Sequence, residues 1–146
     1  MSAAVAGAVT APGRVPVRTA LGVVAVAVLV AVAADLALYG LGRAAGGSFV
    51  FTAPAGATRV DAATVAGFAA LPLLVGLALA VLLARRWPRV LGVGQVAAPV
   101  LALGTVPLMT LPADLDAVST VALALGHVVL VPVSVLALRA LRGDPG

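Results

Sequence analysis

The sequence has no cysteine. A disulfide, a thiolate nucleophile and a sulfur-ligated metal site are therefore excluded within the chain. Histidine occurs once, as His127. A histidine-rich zinc site or a bis-histidine haem cannot be built from one imidazole. Every basic side chain is arginine and every acidic one aspartate, the usage that a GC-rich coding sequence produces. Charge of either sign is scarce: 10% of the 146 residues are charged and 63% are apolar, against roughly 25% charged in an ordinary soluble domain. Nothing so apolar can cover its own surface with polar groups. The implied solvent is lipid, and the length allows one domain.

The formal net charge of +4 would point to nucleic acid in a soluble chain. The arginines make no basic face interleaved with aromatics, however. They sit in short links between apolar runs, where they set orientation, so no nucleic-acid partner is expected.

Four stretches are nearly free of charge: the residues between Arg18 and Arg43, broken only by Asp35, then 62–84, 90–113 and 117–138. A helix needs about 20 residues to cross the hydrocarbon core, and an open sheet edge is not tolerated there. The expected fold is an all-α membrane protein, four transmembrane helices in an up-down-up-down bundle. The spans fall at about 19–42, 62–84, 90–113 and 117–138. Residues 1–17 read as a disordered N-terminal segment and 142–146 as a tail. Ala31-Val32-Ala33 has the small-x-small form of a cleavage site, but the apolar stretch continues to Leu41, so it reads as a span.

Seven arginines (Arg14, Arg18, Arg85, Arg86, Arg89, Arg139 and Arg142) fall on one side of such a bundle, and only Arg43 and Arg59 on the other. The positive-inside rule then places both termini in the cytoplasm of a cell-membrane protein. Trp87 fits an anchor at the inner surface. The longest connection, 43–61, carries glycines and Pro54 and is non-helical. Ser48 to Thr52 is expected to be extended over the outer end. Tight links elsewhere make neighbouring helices antiparallel.

Asp35 is the most informative residue, because a charge near mid-membrane costs about 2.5–3.5 kcal/mol on insertion scales. Asp35, Tyr39 and Arg43 recur every four residues and share a helix face. Tyr39 is placed to cap the carboxyl. His127 lies about 16 Å below the outer end of the fourth span and Asp35 about 12 Å below that of the first. The difference is less than one helical pitch, and first and fourth helices are neighbours in such bundles. The expected polar site is therefore Asp35, Tyr39 and His127, with Asp35 and His127 in direct or water-bridged contact. Thr120, His127 and Ser134 form one stripe. Gln95 is expected to bond a neighbouring helix, and Arg43 or Thr64 is an alternative partner for Asp35. Pro72, Pro99, Pro107 and Pro132 interrupt the last three spans. Gly94-x-x-x-Ala98-x-x-x-Ala102 and Gly42-x-x-x-Gly46 offer close helix packing.

Several features occur in a recognisable order. Asp35-Leu36-x-Leu38-Tyr39 is followed by Ala44-x-Gly46 and Ser48-Phe49-Val50-Phe51. Arg85-Arg86-x-Pro88-Arg89 closes the second span, and Leu123-Ala124-Leu125-Gly126-His127 lies in the fourth. Over about residues 18–140 the chain resembles the actinobacterial four-span membrane family known as domain-of-unknown-function family 6069. The resemblance implies four spans and no assigned activity. It also implies that asparagine can take the place of Asp35, so that a carboxylate is not required there.

Function stays open at this level. The favoured expectation is a non-enzymatic structural or accessory subunit without cofactor or metal. Its partners would be the lipid bilayer, another membrane protein or a second copy. The alternative is a small transporter or proton-conducting protein using Asp35 and His127. An intramembrane enzyme ranks third, since one acidic residue within the spans cannot form an aspartyl dyad.

Overall fold

The computed structural model describes residues 15–143. The expectations for the first fourteen residues, Arg14 among them, and for residues 144–146 lie outside that range. Four helices follow in order: α1 (Val17–Ala44), α2 (Ala62–Ala84), α3 (Arg89–Thr105) and α4 (Ala117–Arg142). With the turn that continues α3, all four are long and apolar enough to cross a membrane. They pack antiparallel in chain order, as expected.

Local chemistry sets their ends. Asp61 caps α2, its carboxylate accepting from the Thr64 N–H at 2.7 Å. Asp116 caps α4 through the Ser119 N–H at 2.9 Å. Each side chain satisfies a donor that the first helical turn leaves unpaired. Arg139 and Arg142 in the last turn of α4 complement its dipole, and Gly143 closes it at a φ of 72°.

The third span differs from expectation. Its α-helix stops at Thr105, and a single π-helical turn, Val106–Thr110, carries the chain on. Pro107 lies in that turn and has no N–H to give an α-helical ladder. The Leu111 N–H instead bonds the Val106 carbonyl at 2.9 Å.

The segment expected to be extended is one arm of a hairpin. Strands β1 (Val50–Ala53) and β2 (Gly56–Arg59) pair antiparallel, with Ala53 opposite Gly56. The two-residue connection places Pro54 where a fixed φ helps, and Gly56 adopts a φ of 112°.

Packing is uneven around the bundle. Helix α1 lies against α2 and α4, and α3 lies against α4, whereas α2 and α3 touch much less. The ring therefore runs α2–α1–α4–α3 with a loose seam between its ends. At the end that holds the start of α1 and the finish of α4, a core of mostly small side chains closes the bundle. Ala20, Val24, Leu77, Ala80, Leu91 and Leu138 belong to it. Gly94 lets α3 approach α4: a Cβ there would lie 3.3 Å from Leu138 Cδ1. Gly94 of that stripe thus serves packing within the chain.

The other end is closed by Phe49, which is fully buried. Its ring packs at a tilt against Tyr39, with centroids 4.7 Å apart. Its φ of 55° is rare for a residue with a side chain. The conformation is held by the ring and by the buried Ser119 hydroxyl, which accepts the Phe49 N–H at 2.9 Å.

Candidate functional site

The packing of α1 on α4 brings Asp35 against Gly126. A Cβ at position 126 would sit 2.8 Å from Asp35 Oδ1, so a side chain there would displace the carboxyl from its present place. That oxygen is buried and accepts no hydrogen bond. His127, the next residue, is close enough to interact electrostatically with the carboxyl. No hydrogen bond joins Asp35 to His127. The direct bond is not made, although both residues line the same cavity.

The reason lies in the imidazole. His127 Nδ1 is 2.8 Å from the Leu123 carbonyl one turn back. A carbonyl only accepts, so Nδ1 carries the proton and Nε2 is left as the group that can answer a ligand.

The other polar residues separate. Arg43 donates to the carbonyls of Gly47 and Ser48 at 3.1 and 3.0 Å. Thr64 bonds Asp61 in the α2 cap. Neither of these alternative partners reaches Asp35. Tyr39 packs its ring on Phe49. The shared face of Asp35, Tyr39 and Arg43 is thus no continuous polar ladder. Within the stripe on α4, Thr120 donates to Asp116 O and Ser134 to Val131 O, both inside α4 or its cap. Gln95 keeps a buried amide nitrogen without a partner, so the expected bond to a neighbouring helix is not formed.

The cavity measures about 770 Å³ and lies between α2, α3 and α4, on the side of the loose seam. This falls within the roughly 300–1,000 Å³ of small-molecule sites. Phe68, Leu101 and Met109 stand at its rim, and all three are strongly exposed. Phe51 and Val60 of the hairpin region roof it, and Ala80, Gly94 and Leu138 line its far end. Along α2 it extends from Thr64 to Ala80, about 24 Å at 1.5 Å per residue. Its wall is mainly aliphatic.

Two aspartates tie the hairpin segment to the start of α4. Asp116 accepts from the Ser48 N–H at 2.9 Å, the Ser48 hydroxyl at 2.7 Å and the Ser119 hydroxyl at 2.6 Å. Asp114 accepts from the Thr52 N–H at 2.7 Å and its hydroxyl at 2.6 Å. The Ser119 hydroxyl and N–H, then those of Ser48, hold the Asp116 carboxyl far below the usual carboxylate range. Hydrogen bonds from Thr52 lower the pKa of Asp114, and those from Thr64 lower that of Asp61. The Asp116-x-x-Ser119 spacing was a readable cap signal, but its reach to Ser48 had no local trace.

Among the described residues, no group of three or more His, Cys, Asp or Glu side chains is placed to hold a metal ion. The pattern of a family of unknown function, DUF6069, matches residues 15–143. No curated protein and no solved structure matches the chain.

Proposed function

This chain belongs to DUF6069, and from that premise we propose that it is a non-enzymatic accessory subunit of the cell membrane, working through helix contacts in the bilayer. One observation carries the reading. On the flank away from the seam, α1 and α4 enclose a shallow recess of about 450 Å³. Buried Gly42 and Ala122 form its floor, and Leu41, Val118, Val121 and Leu125 stand along it. A floor of small residues between aliphatic ridges is a shape that grips a transmembrane helix. The partner is another membrane protein or a second copy, within lipid.

Val121 points outward and is 58% exposed, so Val121→Trp fills the recess without disturbing the bundle. Gentle purification from native membranes is expected to recover a partner with the natural chain and at least tenfold less with Val121→Trp, at unchanged folding. Recovery of the natural chain alone and monomeric would overturn the proposal.

Orientation belongs to the same reading. Arg18, Arg85, Arg86, Arg89, Arg139 and Arg142 gather at one end of the bundle beside exposed Trp87. Asp61, Asp114 and Asp116 mark the other end. The arginine-rich end is assigned to the cytoplasm, with both termini. A reporter active only outside the cytoplasm should be silent after Gly146 and active near Ala55. The reverse pattern would invert the assignment.

A second reading is a small transporter or proton-conducting protein. It is favoured by Asp35 and His127 lining one cavity, a carboxyl and an imidazole that can each take up and release a proton. Reconstituted protein would then carry a pH-dependent flux that falls in Asp35→Asn and His127→Ala. Equal flux in both variants sinks those roles.

A further inference from the structure

The cavity between α2, α3 and α4 presents an unusual set of polar groups at mid-depth. Asp35 lies nine residues inside the outer end of α1, and His127 ten residues inside α4, about 13 and 15 Å from those ends. Asp35 lines the cavity, and its Oδ1, buried on Gly126, has no hydrogen-bond partner. His127 gives its Nδ1–H to the Leu123 carbonyl, and in the neutral imidazole Nε2 is an acceptor. Both groups therefore accept.

Among the described residues no hydrogen bond from the wall reaches the Asp35 carboxyl or His127 Nε2. Of the four hydroxyls on the wall, Thr64 donates to Asp61, Thr105 to Ala102 O and Ser134 to Val131 O. The fourth, Thr110, belongs to the π turn toward the outer end. Two acceptors without a donor, in an apolar slot about 24 Å long, define the complement. It needs a head that donates several hydrogen bonds and carries positive charge, and an unbranched apolar body that fills the slot.

We infer that this cavity is a binding site for a single-chain amphiphile with a primary ammonium head, held at Asp35 and His127, with its chain along the α2–α3 seam. The ammonium has three donors and no acceptor, matching a site with acceptors alone. A carboxylate in hydrocarbon is tolerated when paired, and the ligand provides the pair. Entry needs no aqueous path, because the rim at Phe68 and Leu101 faces the hydrocarbon and the loosely packed α2 and α3 can separate there. The site lies on the opposite flank from the proposed partner recess and does not depend on it.

The test uses the purified full-length protein in lipid nanodiscs and three probes that share a chain: dodecylamine, dodecanol and dodecanoate. Dodecylamine is expected to bind saturably, one per chain, at least tenfold tighter than the other two. Asp35→Asn preserves shape and removes the charge; it should abolish that preference while leaving dodecanol binding within twofold. Gly76 lines the slot, and a Cβ there meets nothing within 4 Å. Gly76→Leu should fold normally and weaken dodecylamine at least threefold. Equal affinity for all three probes, a preference that survives Asp35→Asn, or non-saturable uptake unaffected by Gly76→Leu would each overturn the proposal.

Discussion

Replacing Phe49 by alanine should cost about 3–5 kcal/mol, the range for a large aromatic removed from a packed interior. The ring is fully buried and closes the hairpin end of the bundle against Tyr39, Gly42 and Gly47. Two effects are superimposed at this position, and a second variant separates them. Alanine keeps a Cβ at a φ of 55°, whereas glycine adopts that conformation freely. Phe49→Gly loses the same ring but relieves a left-handed strain of about 1–2 kcal/mol. Thermal or denaturant unfolding in mild detergent should therefore rank natural chain, Phe49→Gly, Phe49→Ala in falling stability. An alanine variant as stable as the glycine variant would show that the backbone there is unstrained.

Gly42→Leu should be comparably severe, for the opposite reason. A Cβ alone at this position lies 2.7 Å from Phe49 Cζ and 2.9 Å from Ala122 Cβ. The second contact is the harder one, because Ala122 Cβ is fixed to the backbone of α4 and yields only if the helices part. Overpacking typically costs about 1–3 kcal/mol, and a whole leucine exceeds what such a contact can absorb. Gly40, two residues earlier, is the control: a Cβ there meets nothing within 4 Å. Gly40→Leu should be neutral or slightly stabilising in the same assay. Similar behaviour of the two variants would show that the α1–α4 approach is looser than described.

These positions show what was legible in the sequence. The four spans were, because bilayer thickness fixes how long an uncharged run must be, and α2 occupies the expected 62–84. The pairing of α1 with α4 followed from short links, and it carried Asp35 and His127 to one cavity. Side-chain partners were not legible. Helical periodicity places Tyr39 above Asp35 but cannot show that Phe49, arriving from the loop, offers it a ring. The stripe Thr120, His127, Ser134 faces inward in part, yet each member bonds a backbone oxygen four or fewer residues away. Such a bond is always within reach and leaves no signature in spacing. The π turn is a case between the two: Pro107 announced a disturbance of the third span without saying how the chain would resolve it.

The aspartate ties between the first and last outer connections also constrain biogenesis. Ser48 and Asp116 are 68 positions apart, and Thr52 and Asp114 are 62 apart. During synthesis the hairpin emerges long before its anchors. It must wait while α2 and α3 are threaded and the start of α4 is delivered to the same surface. Contacts of such sequence separation form late, after the closure entropy of the intervening chain has been met. Docking of the hairpin thus requires that the start of α4 has reached the same end of the bundle. A chain halted after α3, or with one span inverted, would leave Phe49 and the edge of β1 uncovered, which is the exposed apolar and unpaired surface by which incomplete chains are recognised and removed.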